Sequence, residues 1–146
     1  MKTGQGILLK LDYADGGLAD KARTFLIISI NESKVNLLNI SSIQGKLHKL
    51  MYPANKKILK YKPPFIKPSF VKLDAEYIID NNQELESFIL CQGRAMEQDE
   101  LSAIIKEFDE YKSNYNVNIA YSSIDKVMKL NQNIARKQVA ADKNNR

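Results

Sequence analysis

Nine lysines and no acid lie between Glu32 and Asp74, interleaved with His48, Tyr52, Tyr61, Phe65 and Phe70. Cations neutralise phosphates and aromatic faces carry bases, so the pattern is the footprint of a nucleic-acid surface. The same lysines also suit a solvated loop that keeps a sheet edge from pairing. The chain has 22 basic and 17 acidic residues, a net charge of +5, so this window holds the excess and the remainder is net acidic. Upstream, "GGLADKARTFLIIS" (residues 16–29) brings Arg23 to the doorway of an apolar run. One arginine beside a strand is ordinarily solvated; its surroundings have to decide whether it does more.

Several chemistries find no support. Cys91 and His48 are the single cysteine and histidine, which rules out an internal disulfide and any Cys/His zinc cluster of usual spacing. A reducing cytoplasm is the expected home. The apolar run Phe25 to Ile30, broken by Ser29, is too short to span a bilayer, and Lys10 and Asp12 interrupt the stretch a signal peptide needs, so no membrane contact is expected. No P-loop, dinucleotide fingerprint, Ser/His/Asp order or paired histidines occur, and Gly4-Gln5-Gly6 is only a fragment of a glycine motif. No cofactor is expected.

The elements that must position these residues follow from periodicity. "ILLKLDY" (7–13) alternates Ile7, Leu9, Leu11 and Tyr13 against Lys10 and Asp12, as a half-buried strand does. "ADGGLADKA" is a flexible connection, "TFLIISI" a second strand, "NESK" a turn and "VNLLNISSI" a third strand, which makes an antiparallel meander. Pro63, Pro64 and Pro68 exclude helix and central strand from the next segment and favour an extended edge. Strands resume at "SFVKL" and "EYIID", and "ESFILC" reads as a short buried strand. After a turn at Gly93, Leu101, Ile104, Ile105 and Phe108 repeat as one helix face, with acids crowding the first turns. A polar, weakly amphipathic segment from Ser123 to about Lys143 carries Ile124, Val127, Leu130 and Ile134 on a narrow stripe.

The strand, loop and strand of "GQGILLKLDYADGG…KARTFLIIS" resemble the opening of the MazF/PemK-type toxins of type II toxin–antitoxin systems, where a "GDI" strand and a glycine-containing loop lead to "RP" and an apolar strand. "NLLNISSIQGK" stands where that family has a strand ending in a small hydroxyl residue, and "KPSFVKLDAEYIID" resembles its later strand pair, so the likeness covers residues 4 to 112. It implies a mainly β fold, a small SH3-like, partly open barrel of the CcdB/PemK type with a packed helix (1–113), followed by a helical extension (114–146). It further implies a homodimer that cleaves single-stranded RNA without metal through the 2′-hydroxyl, held in check by a cognate antitoxin. By position the catalytic pair is Arg23 with Ser41 or Ser42.

In-line attack builds charge on a phosphorane, and a guanidinium offers its oxygens a two-toothed fork. Because arginine is a poor proton carrier near neutral pH, His48 is a candidate proton shuttle, unless it is simply an exposed loop histidine. Lys21, Lys46, Lys49, Lys56 and Lys57 are the expected phosphate contacts, and Tyr77 is either a base-stacking platform or core. Thr24 replaces the family's proline, and Ala75 and Tyr77 stand where it often has Gln and Arg. Those departures keep open a non-catalytic nucleic-acid-binding barrel, and a domain in which Lys46 to Lys72 meets an acidic protein.

Overall fold

The computed structural model describes residues 1–132. Seven strands form one mainly antiparallel sheet: β1 (Gly6–Leu9), β2 (Arg23–Ile30), β3 (Lys34–Ser42), β4 (Asn55–Lys57), β5 (Ser69–Lys72), β6 (Ala75–Asp80) and β7 (Asn118–Ser122). Helix α1 (Gln98–Asn114) covers one face, and a second helix, α2, occupies residues 124–132 against the other. The fold is mainly β as expected, and the sheet is not closed into a barrel.

The predicted meander is present, with β1 on β2 and β2 on β3, because apolar residues on both faces of the central strands are buried. Phe25, Ile27, Val35 and Leu37 join one core with Leu85, Phe88 and Val127, while Leu26, Leu38 and Ile40 join another with Leu101, Ile104 and Phe108 of α1. Burying each such side chain contributes about 1.5–3 kcal/mol. Ile28 is an extra residue in β2, a bulge after which Ile30 turns to the side of Phe25 and Ile27.

A larger irregularity separates β5 from β6. Both pair with the same edge of β3, β5 with Ile40 to Ser42 and β6 with Lys34 to Leu37, so they form one interrupted strand. The interruption flips side-chain alternation: Val71 and Leu73 face α1, whereas Tyr77 and Ile79 face the opposite core. On its outer edge β5 takes β4 and β6 takes β7, so a cleft opens where those two edges part.

Two elements differ from expectation. "ESFILC" is not a strand: its first half closes a 3-10 helix, Gln83–Phe88, because the Asn82 side chain accepts from the Glu84 N–H (2.9 Å) and starts a tight turn that buries Leu85 and Phe88 three residues apart. "NIAYS" falls within the expected helical extension (114–146) but is strand β7, and it runs parallel to β6. The final helix begins as predicted, and its expected continuation to Lys143 lies outside the described residues. Among the described residues no helix is long and apolar enough to cross a membrane.

Candidate functional site

Arg23 opens β2 opposite Leu9, and its side chain lies on the Phe25 and Ile27 side of the sheet. There it is pinned: Nη1 donates to the Tyr77 hydroxyl (3.1 Å) and Nη2 to the Leu11 carbonyl (3.0 Å). The guanidinium carbon stands 4.0 Å from the Tyr13 ring centroid, 5.0 Å from Tyr77 and 5.1 Å from Phe25. Each such contact is worth about 0.5 to 2 kcal/mol, rising as water leaves. Among the described residues Nε is buried with no hydrogen-bond partner, and no carboxylate forms an ion pair with Arg23. The cation is therefore held in place while its charge stays uncompensated.

It lines a cleft of about 310 Å³ together with Lys49, Lys72, Tyr52, Asn39 and Asp74. Lys72 is there because of the break after β5: unbroken alternation would have put it on the other face from Tyr77. It is half-buried, and its amine is pushed below the ordinary 10.5, first by lost hydration and then by Lys49, with Lys46 and Arg23 adding to the effect against Asp74. Three positive groups, Arg23, Lys49 and Lys72, thus face one space. Lys49 is delivered by the 3-10 helix Leu47–Met51, which buries no residue of its own and is tied to β4 through the Asn55 amide, which donates to the Lys49 carbonyl (2.8 Å).

The structure sorts the predicted site residues. Ser41 and Ser42 fall on opposite faces: Ser42 lines a shallow pocket beside Phe65 and Ile66, while Ser41 Oγ accepts from Lys46 Nζ (3.2 Å). Since Asn39 lines the cleft, its alternate Ser41 is the serine on Arg23's face. His48 is exposed and edge-on to Tyr52 at 6.5 Å, outside the cleft, so a proton-shuttle role has no support in its position. Tyr77 is 4% exposed and packs edge-on to Phe25, which removes it as a stacking platform; its hydroxyl accepts from Arg23 and from the Ala14 N–H (3.2 Å). Lys21 and Lys57 are exposed and do not line the cleft.

Lys56 turns to α1 and pairs with Glu107 at 2.7 Å. Lys60 pairs with Glu97 and Asp99, Lys62 with Glu97 and Lys34 with Asp80. The acid-free window of the sequence is thus not acid-free in space. Sequence reasoning missed Lys72, whose position depends on the break, and Tyr13, whose ring sits over Arg23. Among the described residues no three His, Cys, Asp or Glu side chains come together as a metal site needs. The chain matches no protein-family model and no curated protein.

Proposed function

We propose that the cleft binds and cuts single-stranded RNA, in the manner of the MazF/PemK-type toxins that the sequence resembles. The supporting observation is the convergence of Arg23, Lys49 and Lys72 on one cleft, none of them ion-paired among the described residues. A site of that charge and size fits a phosphodiester. The 2′-oxygen attacks the adjacent phosphorus, the bond to the 5′-oxygen breaks, and a 2′,3′-cyclic phosphate and a 5′-hydroxyl result. Arg23 stabilises the charge that grows on the phosphorane oxygens. The 2′-hydroxyl proton needs a base and the leaving oxygen an acid. Asp74 and Lys72, which line the cleft together with Asp15, take these parts in place of His48.

Single-stranded substrate is favoured by Tyr52, a half-exposed ring on the cleft wall that offers a face to an unpaired base. Leu47 and Met51, 70% and 86% exposed on the same short helix, give the expected antitoxin apolar footholds beside the cations, and the homodimer expected from the resemblance belongs to the same proposal. A second reading, a non-catalytic RNA-binding protein, is favoured by the degree to which Arg23 is already engaged by Tyr77, Leu11 and three rings. Incubation with a mixed-sequence single-stranded RNA in excess chelator separates them. Fragments ending in cyclic phosphate support the nuclease; intact RNA bound in a salt-dependent way supports the binder. RNA neither cut nor bound overturns both.

A further inference from the structure

Asn131 is fully buried in α2, although the segment around it is mostly polar. Its side chain meets the backbone of a residue 121 positions away: Oδ1 accepts from the Lys10 N–H (2.6 Å) and Nδ2 donates to the Lys10 carbonyl (2.9 Å) and to Val127 (2.7 Å). Lys10 lies just past the end of β1, so the amide supplies a two-bond pairing where the ladder has stopped. Two residues on, Asp12 accepts from the Ala19 N–H (2.8 Å) and pairs with Lys126 of the same helix. Between these two anchors lies Leu11, whose carbonyl holds Arg23 Nη2, and directly after them comes Tyr13, whose ring covers the guanidinium.

We infer that α2 positions the cleft's arginine: Asn131, assisted by Lys126, fixes residues 10–13 and through them the placement of Arg23. The polar stripe that looks like a weak helix in the sequence is therefore a clamp on the cationic site. Asn131's hydrogen-bond partners, Lys10 and Val127, do not line the cleft, so it is a positioning residue, and its role as a part of the site rests on the proposed function. Removing the amide deprives the partly buried Lys10 N–H and carbonyl of these partners, and local opening of 10–13 becomes easier than opening of the sheet. Arg23 then loses a fixed acceptor and its covering ring.

The test reads Arg23 itself. Its buried Nε–H gives a nitrogen-15 side-chain resonance, assigned by its disappearance in Arg23→Lys, whose solvent exchange is slow while the site is closed. Asn131→Ala is expected to speed that exchange about tenfold or more, the scale of one lost hydrogen bond, with the sheet's backbone spectrum unchanged. Ile104→Val, in the core beneath α1 on the opposite face, lowers stability but should leave the exchange as in the parent. Should Asn131→Ala not fold, Lys126→Ala, which breaks only its partly exposed pair with Asp12, is expected to shift exchange the same way by a smaller factor. An unchanged Arg23 resonance in the folded α2 variants, or equal loss in Ile104→Val, overturns the inference. Because no RNA enters the measurement, failure of the nuclease reading leaves this result standing, and the reverse also holds.

Discussion

Two banks of lysine from the same stretch of chain meet opposite fates. On the α1 side Lys56, Lys60 and Lys62 are taken up by Glu107, Glu97 and Asp99, and the backbone N–H of Leu59 donates to Glu100 (2.8 Å), so this bank is a strap holding the proline-containing segment to the helix. On the cleft side Lys49 and Lys72 share space with Arg23 and find no ion-pair partner among the described residues. The same residue type is mortar in one place and unsatisfied charge in the other. The acids carried by α1 and its N-cap make the difference, so local charge in a sequence is a poor guide to charge at a surface until distant acids are placed.

The comparison breaks most readily at Arg23. Arg23→Lys keeps the charge but loses the fork, and RNA cleavage is expected to fall about 10²- to 10³-fold, as when a preorganised donor is removed from a developing oxyanion. Cleavage within twofold of the parent by a folded variant would take Arg23 out of the chemistry. Tyr52→Ala should weaken binding of single-stranded RNA by about 1–3 kcal/mol, the worth of one stacked base. Duplex RNA of the same sequence should be affected far less, and equal losses for both would mean that Tyr52 does not stack.

The serines sharpen the geometry with a smaller effect. Ser41→Ala removes the acceptor for Lys46 on the cleft face and should lower activity by the value of about one hydrogen bond, 0.5–1.5 kcal/mol, whereas Ser42→Ala should do nothing. Greater loss in Ser42→Ala would reverse the facing.

The two banks should also respond to pH in different ranges, more subtly. Hydrogen bonds from Lys60, then Lys62, hold Glu97 at about 2 instead of 4.5, so its stabilising contribution is present above 4.5 and fades as pH falls toward 2. Lys72 is depressed, so between its lowered value and 10.5 the unfolded chain holds a proton that the folded one does not, and stability rises with pH. Urea midpoints across pH should show Glu97→Gln flattening the acid limb and Lys72→Met the alkaline limb; the same flattening at both ends in either variant would contradict the assignment.

Much of this molecule is legible in its sequence, for reasons that can be named. The meander is readable because "TFLIISI" and "VNLLNISSI" are apolar on both faces and separated by a turn, and Arg23 is readable because it stands where loop becomes strand. β7 is not, since a short edge strand with Asn118, Ile119 and Tyr121 exposed carries almost no burial pattern. Lys72 is hidden by the break beside it, which changes the face without changing the composition. His48 looks like chemistry among lysines, but the short helix that carries it buries nothing and leaves it outside the cleft. Asn131 is the least visible, because its partner is 121 residues away and an asparagine in a polar helix announces nothing.

The claim that the cleft bank, and not the strap, meets RNA is tested most directly by salt titration. Affinity for one single-stranded RNA is measured across ionic strength for the parent, for Lys49→Glu with Lys72→Glu, and for Lys60→Glu with Lys62→Glu. Each phosphate contact contributes a slope of about −0.7 in log affinity against log salt. The cleft pair should therefore lower affinity steeply and flatten the slope by about 1.4, while the strap pair, which loses ion pairs with Glu97 and Asp99 instead, should keep the parent's slope even if it is less stable. A flattened slope in the strap variant with a parental slope in the cleft variant would contradict the account.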